Sequence, residues 1–215
     1  EAVDTRGAVN MTDGGMSAQA VMEQLRAAGA DTGTAFTDVG AGDWYRSAVE
    51  YVVEKGMMNG TSAVTFSPNE TTTRAMIVTI LHRMEGEPRA WGYAFSDVAT
   101  SAYYADAVAW AAEQRIVNGT GSMTFSPDAP ITREQLAAIL YRYAQFKDYD
   151  VSASNSLTSY TDAAQISSYA AAAMQWANAE GLIAGSTGRK LNPQGNASRA
   201  EVATILMRFC ENMAG

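Results

Sequence analysis

Three arginines, Arg74, Arg133 and Arg199, each follow a threonine or serine suited to opening a helix, in the runs TTTRAM, ITREQ and ASRAE. The first helical position is electropositive, so a cation there costs a few tenths of a kcal/mol. An anionic ligand removes that cost, because the helix N-terminus and the guanidinium can hold one anion together. The other reading is an internal partner, for which Asp38, Asp97 and Asp162 are the candidates. The two readings stand side by side, and they coexist if a carboxylate orients each arginine beside a pocket. Thirty residues before each arginine lies an aromatic slot, filled by Trp44, Tyr103 and Tyr169. An aromatic plane can stack on the C–H face of a sugar ring, although an aromatic at a helix start more often belongs to the core. Gly60, Gly119 and Gly185 lie 14 residues before the arginines. They read as turn residues first, and as points of close backbone approach to a ligand second.

Other chemistry finds no support. No Ser-His-Asp set, metal-ligand cluster or phosphate loop is present, so no catalytic residue, metal or cofactor is expected. The one histidine, His82, shares its repeat position with Tyr141 and Met207, which points to packing. Carboxylates at equivalent positions come in threes, whereas a glycosidase needs one unequal pair. The single cysteine, Cys210, excludes an internal disulfide and reads as a small core residue. A formal net charge of -8, with 15 Lys and Arg against 23 Asp and Glu, argues against nucleic acid as a partner. No apolar run reaches the roughly 20 residues of a membrane span.

The elements that must position these residues recur three times. Aligned on the arginines, Phe66, Phe125 and Leu191 coincide, as do Pro68, Pro127 and Pro193, and Arg83, Arg142 and Arg208. Each copy opens on an aromatic-x-Asp step: Phe36 and Asp38, Phe95 and Asp97, Tyr160 and Asp162. The copies are offset by 59 and then 66 residues, and such self-similarity marks a repeat architecture. Each copy reads as helix, turn-rich loop, helix. The first helix of copy one is expected to start at an Asp43 N-cap and stop at Gly56, with counterparts over 102–115 and 168–180. The second helices open on capping boxes, Thr132 with Gln135 and Ser198 with Glu201, while Met76 leaves the box after Thr73 half made. One such unit cannot bury its apolar faces alone, so the three must pack together. We divide the chain into an N-terminal arm and helix over 1–35 and repeats over 36–90, 91–150 and 151–215. Any attached domain is expected before residue 1.

Taken together, the FTDV, FSDV and YTDA openings, the GMMNG, RIVNG and GLIAG mid-loops, the FSP steps and the TTTRAM, ITREQ and ASRAE runs resemble the S-layer homology domain in triplicate. The resemblance covers residues 36 to about 210. It implies an all-α fold, a pseudo-threefold, three-pronged body of helix-loop-helix repeats around a central helical bundle, monomeric as a pseudo-trimer. It also implies a non-catalytic module on the bacterial cell surface, anchoring to cell-wall polysaccharide or a peptidoglycan-linked polymer through an acidic, pyruvate-ketal sugar. The family's binding arginine falls on Arg74, Arg133 and Arg199, its aspartate on Asp38, Asp97 and Asp162, and its tryptophan on Trp44, Tyr103 and Tyr169. Only Glu201 keeps the family's glutamate, which is Met76 and Gln135 in the other copies, and only Trp44 keeps the tryptophan. Those departures keep a second reading open: a protein-interaction or S-layer assembly module with degenerate grooves.

Overall fold

The computed structural model describes residues 36–92 and 95–213; the arm and helix expected over 1–35 lie outside them. Among the described residues every regular element is a helix: α1 (Arg46–Glu54), α2 (Arg74–Met84), α3 (Ala105–Glu113), α4 (Arg133–Phe146), α5 (Ala171–Ala179) and α6 (Arg199–Met213). Short 3-10 turns, Ala163–Gln165 and Ser168–Ala170, lead into α5. The chain divides into two compact units. One takes in the described chain up to Glu70 together with Ser198–Met207, and the other takes in Thr71–Ala197 with the chain from Arg208 on.

The second helix of each copy starts where its local sequence dictates. Thr132 Oγ1 accepts the Gln135 N–H and the Gln135 side chain returns to the Thr132 N–H, a complete capping box. Ser198 and Glu201 repeat the arrangement at α6, at 3.2 and 2.9 Å. At α2 Thr73 accepts from Met76 N–H alone, the half box expected. The first helices differ from expectation at their starts. Asp43 does not cap α1: Tyr45 occupies the N-cap position, and the Asp43 carboxylate accepts the Gly40 N–H at 2.7 Å. A turn closed from Arg46 N–H to Asp43 C=O intervenes, so the helix begins later than an N-cap at 43 would place it. Gly56 does end α1, with φ +67, and Gly181 ends α5 with φ +70. In the corresponding place after α3 stands Arg115, also left-handed at φ 59.

In the larger unit α2 packs on α3, and α4 packs on α5. Ile77, Val78 and Leu81, Trp110 and Ala111, Leu136 and Leu140, and Met174 and Trp176 are all buried there. His82 belongs to this core: it is 7% exposed, its Nε2 lies 2.8 Å from Pro88 C=O, and its ring lies 5.4 Å from that of Trp110. The segments just before α2, α4 and α6 are joined by a closed triangle of backbone hydrogen bonds. Thr72 N–H donates to Ala197 C=O, Ala197 N–H to Ile131 C=O, and Ile131 N–H to Thr72 C=O, at 3.1, 2.9 and 2.8 Å. All three residues are fully buried, so each backbone group finds its obligatory partner in another copy. In the smaller unit the buried residues include Phe36, Val49, Val52, Val53 and Phe66, with Val202, Ile205 and Leu206 of α6.

Candidate functional site

The aspartates shape the loops by accepting backbone N–H groups. The Asp97 carboxylate accepts Phe125 N–H and Ser126 N–H at 2.8 and 2.7 Å. Asp38 does the same for Phe66 and Ser67, and Asp162 for Leu191 and Asn192. In each pair the second residue is left-handed: Ser67 at φ 57, Ser126 at φ 57 and Asn192 at φ 51. The bidentate carboxylate therefore secures a backbone conformation that these residues would not hold cheaply alone. Burial pushes the Asp97 and Asp162 carboxyls up, but the two N–H donors outweigh it and hold both below the usual aspartate range.

The recurring geometry of the loop also explains the glycines. None of Gly60, Gly119 and Gly185 is left-handed, so turn conformation is not the reason for them. A Cβ on Gly119 would lie 2.6 Å from Thr124 C=O and 2.9 Å from Phe95 Cε1. On Gly60 it would meet Phe36 Cε1 at 2.5 Å, and on Gly185 it would meet Tyr160 Cε1. The opening aromatic of each copy lies against its own glycine.

Each arginine reaches into the loop of the next copy. Arg74 Nε donates to Phe125 C=O at 2.8 Å and Nη2 to Asn118 C=O at 3.1 Å. Arg133 Nε donates to Leu191 C=O and Nη2 to Ala184 C=O, at 2.8 and 3.3 Å. Arg199 completes the cycle with Phe66 C=O at 2.8 Å and Asn59 C=O at 2.6 Å. The guanidiniums of Arg74 and Arg199 also lie 4.6 Å over the Phe125 and Phe66 rings. The internal partner weighed from sequence exists: each arginine meets a pair of carbonyls, and Arg74 and Arg199 an aromatic face as well. The helix starts are occupied too, since the N–H groups of Arg74 and Ala75 donate to Ala129 and Pro127 C=O. Those two N–H groups are thus not offered to an anion, as the sequence reading had them; what remains for a ligand is the guanidinium edge.

That edge opens, in the larger unit, on a groove of about 420 Å³ lined by Arg74, Asn118, Gly119, Thr120, Gln135, Arg142 and Tyr169, with apolar floor from Val117, Ala138 and Ile139. Arg74 Nη1 also donates to Gln135 Oε1 at 3.3 Å. Burial lowers the pKa of both Arg74 and Arg142, as expected of cations partly withdrawn from water, yet a guanidinium keeps its charge. Tyr169 stands 53% exposed. Trp44 and Tyr103 are also exposed, at 67% and 40%, so the aromatic slot is surface and not the core that base rates favoured. The groove thus joins one predicted residue from each copy: Arg74 from the first, Gly119 from the second, Tyr169 from the third. Arg142 and Gln135 were visible as repeat positions but not picked out as site residues. Chemically, two cations, amide and hydroxyl groups and one aromatic face suit a carboxylated sugar.

A family model described as the S-layer homology domain matches residues 35–75, 94–137 and 159–203, together more than half of the chain. Relatives include an endoglucanase of Bacillus sp. (strain KSM-635), 33% identical over 80% of this chain and 18% of its own length. The surface-layer 125 kDa protein of Lysinibacillus sphaericus is 28% identical over 78% of this chain and 14% of itself. An amylopullulanase of Thermoanaerobacterium thermosulfurigenes is 29% identical over 79% and 9%. The chain spans less than a fifth of the length of these relatives.

Proposed function

The chain belongs to the S-layer homology domain family, whose domains are non-catalytic, extracellular cell-wall-binding modules of bacteria, and from that premise we propose that it grips an acidic, pyruvate-ketal-bearing secondary cell-wall polysaccharide. The observation that carries this reading is the groove in which Arg74 and Arg142 face Tyr169. A ketal carboxylate fits the two guanidiniums, and the pyranose ring fits the exposed tyrosine face. Repeat equivalence extends the role to Arg133 and Arg199, to Trp44 and Tyr103, and to the Gly60 and Gly185 loops. Several weak sites on one chain would act together on a polymer. At physiological salt charges beyond about 8 Å are screened, so the local arginines outweigh the net negative charge. We further propose a pseudo-threefold, three-pronged monomer with repeats over 36–90, 91–150 and 151–215. The cyclic order of the arginine-to-loop bonds and the triangle at Thr72, Ile131 and Ala197 support that arrangement.

The test is co-sedimentation with purified cell walls before and after acid extraction of the secondary polysaccharide. Pelleting lost on extraction is the expected result. Equal pelleting with stripped walls would make peptidoglycan the ligand. Pelleting with neither, across walls of several species, would overturn the glycan reading in favour of a protein-interaction or S-layer assembly module. The observation on that second side is the burial of Arg74, 5% exposed and already bonded to carbonyls.

A further inference from the structure

The residue after the helix-opening arginine is Ala75 in α2 and Ala200 in α6, both buried. In α4 it is Glu134, only 2% exposed, a carboxylate where the repeat otherwise places a methyl group. A buried carboxylate requires donors, and Glu134 draws one from Tyr169 on the groove wall and one from the backbone just before it. Oε1 accepts the Tyr169 hydroxyl at 2.9 Å, and Oε2 accepts the Ser167 N–H at 2.9 Å. On the acidic-glycan reading, we propose that Glu134 is a positioning residue that fixes the Tyr169 ring as a preorganised stacking face of the Arg74 and Arg142 groove. A half-exposed tyrosine otherwise samples several rotamers and must be ordered when a sugar arrives. Here the phenol tip and the backbone two residues before it are both tied to a carboxylate on a helix, so that ordering is complete before binding. The same contact keeps the phenol protonated beside two guanidiniums: burial first, and then the Glu134 carboxylate, push Tyr169 well above the usual tyrosine range.

Two roles must be told apart, because Glu134 also brings a negative charge toward an anion site. The probe is a methyl hexopyranoside carrying a 4,6-linked pyruvate ketal, with the same hexoside lacking the ketal as control, measured by titration calorimetry on the full chain. Glu134→Ala, the side chain that α2 and α6 carry, is expected to weaken ketal binding between about twofold and tenfold, the range for ordering one side chain. Glu134→Gln keeps an acceptor for the phenol but turns its amide N–H2 toward the Ser167 N–H, so it is expected to lose less than Glu134→Ala does. Tyr169→Phe should lose as much as Glu134→Ala, and the double variant no more than either. Unchanged binding in Glu134→Ala, or equal losses in the Ala and Gln variants, would overturn the proposal. Thermal unfolding midpoints identify a loss caused by misfolding. A ligand-free measurement decides the positioning separately: nitration of Tyr169 by tetranitromethane, followed by mass spectrometry, is expected to run several-fold faster in Glu134→Ala, because the phenol loses its carboxylate and keeps its cationic neighbours. Equal rates would again overturn it. If the nitration contrast holds and the wild-type chain binds neither hexoside, the glycan reading fails while the Glu134–Tyr169 positioning stands.

Discussion

The two arginines of the groove are placed differently, and that difference decides which substitution is informative. Arg74 supports the fold as well as the groove, since its removal would strand the carbonyls of Phe125 and Asn118. Arg142 lies half-buried on the groove wall, so it tests binding with less confusion. Arg142→Gln is expected to weaken wall-polysaccharide binding about tenfold or more, from the loss of one charge-assisted contact of about 1.5–3 kcal/mol, with an unfolding midpoint close to wild type. Calorimetric titration beside thermal unfolding checks both halves. The aspartates make a complementary case. Asp97→Ala leaves two loop N–H groups without their acceptor and is expected to cost about 1–2 kcal/mol by urea unfolding at neutral pH. Because the folded carboxyls of Asp97 and Asp162 sit below their ordinary value of about 3.9, their stabilisation is complete above that pH and is lost as pH falls through the lower folded values. Urea midpoints followed from neutral to acid pH should drop in that window, and Asp97→Ala should flatten the drop.

At the scale of elements, what was legible in the sequence was what is local. The threonine and serine caps and the left-handed ends at Gly56 and Gly181 depend on neighbours within a turn, and sequence shows those directly. The same logic makes Arg115 a defect: it holds φ 59 where the other copies place glycine. Arg115→Gly is expected to raise stability by about 1 kcal/mol, the order of the left-handed penalty for a side chain, and chemical denaturation of the single variant measures it. The groove was only partly legible, because its walls meet across copies. Arginine, glycine and aromatic were each found by their spacing, but their order of assembly, Arg74 with the second copy's loop and the third copy's tyrosine, depends on packing. Residue type left Trp44, Tyr103 and Tyr169 open to core packing and to sugar stacking alike, and the fold exposes them. The aspartates bond N–H groups 28 to 30 residues away, beyond any local pattern. Glu134 escapes a reading built on what the copies share; its signal in the sequence is its departure from Ala75 and Ala200 at an otherwise small position.

At the scale of the whole chain, each copy supplies what another lacks, and this should make the copies inseparable. Arg133 finds two of its carbonyls in the third copy, at Ala184 and Leu191, and the N–H groups of Arg133 and Glu134 donate to Gly195 and Pro193. The triangle at Thr72, Ile131 and Ala197 likewise cannot close with two members. A chain ending at residue 158 would leave Ile131 C=O and Thr72 N–H buried without partners, each at a cost of about 1–3 kcal/mol, and would uncover the face of α4 that packs on α5. These losses approach the whole stability of a domain, about 5–15 kcal/mol. The truncated chain is therefore expected to show no cooperative thermal transition by circular dichroism and little protection in hydrogen exchange, whereas the intact chain shows both. A sharp transition in the truncated chain would mean that two copies form a self-sufficient core and that the third adds binding surface alone.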